Sequence, residues 1–291
     1  MFNFANLATA DDGWSDVDTN ERIAGERNTL IAFGEEFAFR YCPPGTFLMG
    51  SPESEEGREP FDASETQHEV TLTRGFWLME TPVTQEQWRA VTGDNPSEFS
   101  GEANLPVERV SWYDFQEFIK KLNDGDFSPS GWKFSLPTEA QWEYACRAGT
   151  TTPFFWGSVL NGDKANCYGR TPHGTETKGP YLGRTSPVKS YAPNAWGFYD
   201  MHGAVYEWVQ DVFGEYPSHA VTDPVGPKEG EGYEVNEDEE KLYETGGSYR
   251  VVRGGGWDDY ASYCRAAYRI GIDADCRGYR NGGRLALVPA R

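Results

Sequence analysis

The helix signals of this sequence are confined to residues 84–149, between a strand-rich beginning and a long, loop-rich remainder. Thr84, Ser111 and Thr138 can each cap a helix, because their side-chain oxygens accept hydrogen bonds from the first free backbone N–H groups. An amphipathic stretch follows each cap, and Gly93 and Gly149 are typical stops for the first and the third. Strands, then helices, then loops, without alternation of strand and helix, predict an α+β fold.

The chain divides into a short arm and one large domain. Residues 1–36 are polar and acidic and predict an arm, in which the amphipathic stretch from Ile23 to Phe33 fits a short helix. From Phe37 onward, apolar runs broken by proline and glycine are typical of strands and turns, so the domain is predicted to span residues 37–291. The strongly acidic stretch at residues 226–250 predicts an inserted loop.

The charge balance excludes several classes of partner. The chain holds 26 basic against 46 acidic residues, a net charge of −20, which repels nucleic acid phosphates and anionic lipid. No apolar run is long enough to span a membrane, and the first residues lack the basic region and apolar run of a signal peptide. We therefore expect no nucleic acid partner, no membrane span and, by default, a cytoplasmic location.

The residue types that bind soft metals or form disulfides follow no known pattern. The cysteines form no CxxC pair and are odd in number, and the four histidines are scattered along the chain. We therefore expect reduced, partly buried thiols. The five cysteines are Cys42, Cys146, Cys167, Cys264 and Cys276.

Six segments after the arm match a known family, in the family's order. They are PPGTFLMGS at residues 43–51, FWLMETPVTQEQW at 76–88, LPVERVSWYDFQEF at 105–118, LPTEAQWEYACRAGT at 136–150, SPVKSYAPNAWGFYDMHGAVYEW at 186–208 and RVVRGGGWDDYASYCRAAYR at 250–269. Through these segments the chain resembles the formylglycine-generating enzyme family, also called the sulfatase-modifying factor family. The resemblance implies a C-type-lectin-like fold, which is α+β, irregular and rich in loops.

The resemblance also provides a test for catalysis. The family's oxidases bind copper with two cysteines five residues apart, and Cys264 stands at the second of these positions. Asp259 stands at the first, and a carboxylate is too hard a ligand to replace a thiolate on Cu(I). We therefore predict that the chain binds no copper and is not an enzyme. The alternative is a copper-dependent formylglycine-generating oxidase that acts on a sulfatase cysteine.

Calcium is a separate implication of the resemblance. The family binds one Ca²⁺ in the stretch that matches DMHGAVYEW. The corresponding ligands are the side chains of Asp200 and Glu207 and the backbone carbonyls of Gly203 and Val205, all of them hard oxygen donors. A structural calcium site is therefore a hypothesis here. The alternative is a solvated turn in which Glu207 forms a salt bridge.

Residues 258–283 have an unusual composition. The window lacks Lys, Glu, Gln, Met and Trp, and every residue in it can be encoded by a codon that ends in a pyrimidine. Mutation of AAY codons at their adenines reaches this same set of residues. The pattern resembles the variable region of diversity-generating retroelement proteins, in which a C-type-lectin-like domain of this family presents mutated positions. The alternative is chance composition in a glycine-rich loop.

This second resemblance predicts a ligand-binding segment near residues 257–284, with a steady set of arginines at 265, 269, 277, 280 and 284. Tyrosines supply amphipathic contact area at low entropic cost, and small polar residues adapt to a partner. The function predicted from the sequence is thus display of a binding surface to an unknown protein or surface ligand. The predicted surface positions are Asp258, Asp259, Tyr260, Tyr263, Tyr268, Ile270, Ile272, Cys276, Tyr279 and Asn281.

Overall fold

A five-stranded sheet runs through the centre of the domain. The structure is a computed structural model that describes residue 14 and residues 22–58, 65–102, 104–228 and 249–290. In spatial order the sheet contains β1 (Arg27–Ala32), β2 (Glu35–Cys42), β5 (Phe76–Met79), β12 (Ala286–Pro289) and β6 (Trp132–Ser135). All four pairings are antiparallel. The last strand of the chain, β12, lies between β5 and β6, which precede it by many residues.

Two smaller sheets flank the first. The four-stranded sheet has the order β10 (Arg269–Asp273), β9 (Tyr249–Arg253), β7 (Tyr206–Val212) and β11 (Asn281–Gly282). The three-stranded sheet has the order β3 (Gly45–Met49), β4 (His68–Leu72) and β8 (Val221–Thr222). Segment 257–284 therefore contributes β10 and β11 to the four-stranded sheet and is joined directly to β9 and β12.

The three helices form where the sequence predicts them. They are α1 (Gln85–Thr92), α2 (Trp112–Asp124) and α3 (Glu139–Arg147). Thr84, Ser111 and Thr138 each complete a reciprocal capping box with the third helical residue, so all three predicted caps are confirmed. Gly93 ends α1 in the left-handed region, whereas Ala148, one residue before the predicted Gly149, ends α3.

The predicted arm is wrong over residues 22–36. Instead of a helix, the stretch after Ile23 forms β1, which pairs with β2 through a two-residue hairpin at Phe33 and Gly34. Both turn residues have positive φ, at 53° and 88°, which is the conformation that such tight hairpins require. The domain therefore begins before residue 37. Trp14, also in the predicted arm, is buried in the larger apolar cluster; the other residues before 22 and most of the acidic insertion, residues 229–248, lie outside the described residues.

Two apolar clusters hold the sheets and helices together. Trp77, Phe115 and Trp208 lie in the larger cluster, in which α1 and α2 pack against the central sheet. The smaller cluster lies around α3 and includes Trp142 and Leu78. Together with the order of elements, these layers confirm the predicted α+β class. Among the described residues, no helix has both the length and the apolar character that crossing a bilayer requires.

Candidate ligand-binding face

Three buried arginines anchor segment 257–284 to the rest of the domain. Arg265, Arg269 and Arg284 are at most 4% exposed. Their carboxylate partners are Glu65 at 2.8 Å, Glu139 at 2.6 Å and Glu207 at 2.6 Å. Because all three carboxylates belong to distant parts of the chain, the ion pairs fix the path of the segment at three points. Loss of one partner would leave a buried charge uncompensated, which is strongly destabilising.

The other two arginines of the set lie nearer to solvent. Arg277 forms a bidentate pair with Asp114 on α2, at 2.7 and 2.9 Å, and the Arg277 side chain is about half exposed. Arg280 pairs with Asp259 at 2.7 Å, within the segment itself. The exposed Arg277 pair contributes little to stability, so it orients the segment more than it holds it. The Arg280 pair differs because one partner, the Asp259 carboxylate, is buried.

The predicted surface positions divide into three groups. Tyr260 and Tyr279 are 47% and 41% exposed, which makes them the most accessible aromatic side chains of the segment. A second group is partly buried; its members are Asp258, Tyr263, Ile270, Ile272 and Cys276. Of this group, Tyr263, Ile270 and Ile272 pack against the larger apolar cluster. Only the outward parts of these side chains are available to a partner.

Three of the predicted surface positions are buried, and for them the prediction is wrong. Tyr268 is 9% exposed because it belongs to the larger apolar cluster. Asn281 is 3% exposed because it lies in β11, paired with β7. Asp259 is 6% exposed and accepts hydrogen bonds from the Gly256 N–H at 2.8 Å and from Arg280. Burial raises the pKa of Asp259 to about 6.

The exposed tyrosines are part of a larger aromatic face, defined as Tyr168, Tyr181, Trp257, Tyr260 and Tyr279. The ring centroids of Tyr168 lie 4.7 Å from Tyr181 and 5.9 Å from Tyr260. Trp257 lies 6.1 Å from Tyr181 and 5.7 Å from Tyr279. The five rings are therefore in continuous contact; Trp257 is buried beneath the others, so the four tyrosines supply the accessible part of the face. Tyr168 and Tyr181 are not among the positions predicted from the sequence, because they come from a loop that lies far before the segment in the chain.

Charged groups border this face. Asp258 lies close enough to Tyr279 that its negative charge is the main cause of a raised Tyr279 pKa. The Arg280 guanidinium lies 5.6 Å from the centre of the Tyr279 ring, within the range of a cation–π contact. The face therefore combines amphipathic rings with a partly exposed pair of opposite charges, Arg280 and Asp258, 3.5 Å apart, which is a surface suited to polar and apolar contacts together.

The two positions that carry copper-binding thiols in the resembled oxidases do not fit copper here. The Asp259 carboxylate is bonded to Gly256 and Arg280, as described above. The Cys264 thiol is completely buried, and the neighbouring Cys167 thiol, together with burial, raises its pKa well above the usual value. These two positions therefore offer one hard carboxylate and one neutral thiol rather than two thiolates.

The residues predicted to bind calcium are arranged for another interaction. Both carboxylate oxygens of Glu207 accept hydrogen bonds from Arg284, at 2.6 and 2.7 Å, and one also accepts from Trp142. Asp200 accepts from the Lys189 N–H at 2.8 Å, and burial raises its pKa to about 6. A guanidinium beside Glu207 opposes a second cation, so the set of Asp200, Glu207 and the carbonyls of Gly203 and Val205 does not fit Ca²⁺.

Over the part of the chain that the structure describes, no group of three or more His, Cys, Asp or Glu side chains is placed to hold a metal ion. Glu207 forms a salt bridge with Arg284, as the alternative predicts, but it does so as a buried residue of β7 and not in a solvated turn.

The fold and the face together define a C-type-lectin-like α+β domain that carries an aromatic surface on buried arginine anchors. Residues 38–288 match the family described as the sulfatase-modifying factor enzyme 1-like domain. The chain belongs to this family, and the family resemblance seen in the sequence is thereby confirmed.

The known proteins that are similar to this chain include an enzyme, a chaperone protein and a variable protein. Formylglycine-generating enzyme of Streptomyces coelicolor is 34% identical over 207 residues, which cover 69% of this chain but only 56% of that enzyme. Chaperone protein LppX of Paenibacillus barcinonensis is 30% identical over 254 residues, covering 74% of this chain and 81% of its own length. Treponema denticola variable protein 1 superposes with a TM-score of 0.71 at 26% identity, covering 90% of this chain and 99% of its own.

Proposed function

We propose that this protein is a non-catalytic ligand-binding protein that presents segment 257–284 as a diversified surface, like the retroelement variable proteins that its sequence resembles. The observation that carries the proposal is the separation of buried arginines from exposed tyrosines along one segment. Arg265, Arg269 and Arg284 are bound to carboxylates elsewhere in the domain, whereas Tyr260 and Tyr279 point outward. A segment built in this way keeps its path when its exposed side chains change.

The chemistry of the aromatic face supports binding of a protein or another surface ligand. Tyrosine and tryptophan rings bury a large area while losing little rotamer freedom, and they are enriched at the centres of protein interfaces. The similarity to Treponema denticola variable protein 1 extends over 90% of this chain and supports the same function. In this proposal the exposed residues at 258, 260 and 279 determine which ligand is bound.

The alternative function is the copper-dependent formylglycine-generating oxidase. The 34% identity with the Streptomyces enzyme favours it, although the match covers only 56% of that enzyme. Against it stands the state of Asp259, which is bonded to Gly256 and Arg280 at the position of the first thiolate. An oxidase would require a second copper ligand in place of this carboxylate.

The proposal makes a specific requirement on the surrounding DNA. A near-copy of the 3′ coding end should lie beside a reverse-transcriptase gene and should have adenines at the codons of Tyr260 and Tyr279. An arginine codon that ends in a pyrimidine is CGY and contains no adenine, so adenine mutagenesis does not alter it. We therefore expect adenine-free codons for Arg265, Arg269 and Arg284 in the near-copy. A near-copy with adenines at these arginine codons, or a genome without one, would reject the proposal.

A library experiment tests the same proposal on the protein. The full chain is displayed on phage with positions 258, 260 and 279 randomised together, and in a matched library with positions 259, 268 and 281 randomised. Folded clones are counted by resistance to protease, and the first library is then selected for binding to hen lysozyme as a probe. We expect many folded clones and some binders from the first library and few folded clones from the second. Equal loss of folding in both libraries would contradict a display function.

A further inference from the structure

Two of the cysteines lie in contact in the interior of the domain. Cys167 and Cys264 are 1% and 0% exposed, and the neighbouring Cys167 thiol, together with burial, raises the pKa of the Cys264 thiol well above its usual value. Both belong to a small apolar cluster that also contains Phe154 and Leu160. In the structure all five cysteines are free thiols, so the contact is between two S–H groups.

The backbone holds this contact in place from both sides. The Tyr168 N–H donates to the Asp259 carbonyl at 2.8 Å, and the Ala261 N–H donates to the Thr171 carbonyl at 3.2 Å. Tyr168 and Tyr260 also form an isolated parallel β-bridge. The loop after Cys167 and the 3₁₀ turn that ends at Cys264 therefore run side by side, and the two sulfurs lie where these chains meet.

The other cysteines have different neighbours. The Cys146 sulfur lies 3.7 Å from a ring nitrogen of His202 and 3.9 Å from the Met201 carbonyl. The Cys276 sulfur accepts a hydrogen bond from Asn281 at 3.7 Å. The Cys264 thiol also lies 3.8 Å from the Tyr260 carbonyl, but Cys264 differs from Cys146 and Cys276 in having a second cysteine, Cys167, beside it in the same apolar cluster.

We propose that Cys167 and Cys264 form a disulfide when the chain folds in the presence of a disulfide oxidant. Both S–H bonds break and one S–S bond forms, and the two electrons released reduce the oxidant's disulfide. The oxidant, such as oxidised glutathione, becomes two thiols that take up the two protons. Once the domain has folded, both sulfurs are shielded from solvent, so the bond forms during folding rather than afterwards.

The cross-link would connect the two parts of the aromatic face. It joins the residue before Tyr168 to the turn that follows Tyr260, and it closes a loop of about 100 residues. Such a loop restricts the unfolded chain strongly, so the oxidised protein should melt roughly 5–15 °C above the reduced protein. This inference does not depend on the proposed binding function, because neither the bond nor the melting shift requires a ligand.

Peptide mapping tests the proposal directly. The full chain is unfolded and reduced, refolded with reduced and oxidised glutathione, quenched with acid, alkylated in denaturant and digested with trypsin. All five cysteines fall in different tryptic peptides, with Cys167 in residues 165–170 and Cys264 in residues 254–265. The expected result is a reducible cross-link between these two peptides. Five alkylated cysteines, or a cross-link through Cys42, Cys146 or Cys276, would overturn the proposal.

Variants provide a second measurement. Cys167→Ser and Cys264→Ser should each lose the cross-link and the rise in melting temperature on oxidation, while the control Cys276→Ser should keep both. The peptide map of the wild-type chain decides the matter even if a serine variant fails to fold. A melting shift that persists in Cys167→Ser would contradict the assignment of the bond.

Discussion

Truncation of tyrosines in segment 257–284 distinguishes a displayed surface from a structural loop. Tyr260 and Tyr279 keep somewhat less than half of their surface in water, whereas Tyr268 keeps 9%. Full burial of a large apolar side chain provides about 1.5–3 kcal/mol, so half burial corresponds to about 1 kcal/mol for each exposed ring. We expect the double variant Tyr260→Ala, Tyr279→Ala to lose about 2 kcal/mol or less of unfolding free energy.

Tyr268→Ala is the matched control, because it removes the same ring from the larger apolar cluster. Truncation of a buried aromatic side chain costs about 3–5 kcal/mol, through lost burial and the cavity left behind. The single variant should therefore be less stable than the double one. The ring of Tyr263 stacks between Tyr260 and Tyr268, at centroid distances of 5.8 and 4.7 Å, so it is left unchanged.

Urea unfolding followed by tryptophan fluorescence measures both variants, with the midpoint compared at unchanged slope. The reasoning predicts a small midpoint shift for the double variant and a large one for Tyr268→Ala. A double variant that is as unstable as Tyr268→Ala would refute it, because the exposed rings would then be part of the core.

Three further predictions concern charge, pH and catalysis. Glu207→Gln should lose about 3–5 kcal/mol of unfolding free energy, measured with urea, because it leaves the Arg284 charge buried and unpaired. Ca²⁺ should not change the melting temperature of the wild type. A calcium-dependent rise in melting temperature that Glu207→Gln abolishes would restore the calcium hypothesis. Burial raises the pKa of Asp259 from 3.8 to about 6, so folding favours its protonated form, and a stabilisation of about 3 kcal/mol that is present below pH 4 is lost as the pH rises through 6. Melting curves should therefore show Asp259→Asn gaining stability relative to the wild type between pH 4.5 and pH 8, and equal slopes would contradict this. With copper and a peptide carrying the CxPxR motif, mass spectrometry should detect no aldehyde product, and turnover would favour the oxidase.

Local signals in the sequence predict the helices but not the first strand. A capping box involves residues three apart, so Thr84, Ser111 and Thr138 can be recognised without knowledge of the rest of the fold. The stretch after Ile23 has apolar residues at helical spacing, yet it pairs with β2 along six positions. The turn gives only a weak signal in the sequence, because a tight hairpin requires positive φ at both turn residues and Phe33, unlike Gly34, is of a type that rarely adopts it.

The site is less predictable because its contacts are distant in sequence. Composition indicates that residues 258–283 are unusual, but it does not say which side chains point inward, and Tyr268 and Asn281 were misplaced for this reason. Arg265 meets Glu65 across 200 residues, a pairing that only the folded chain reveals. The same holds for Tyr168, whose place in the aromatic face depends on the bridge to Tyr260.

The position of β12 has a consequence for biosynthesis. This strand lies between β5 and β6 and follows segment 257–284 in the chain, so the central sheet closes only after the segment has left the ribosome. A frameshift or stop codon within the segment's DNA removes β12 and leaves two inner strand edges unpaired, which are targets for aggregation and proteolysis. We therefore expect truncated chains to be degraded, so that the proteins that accumulate are those whose reading frame across the segment is intact.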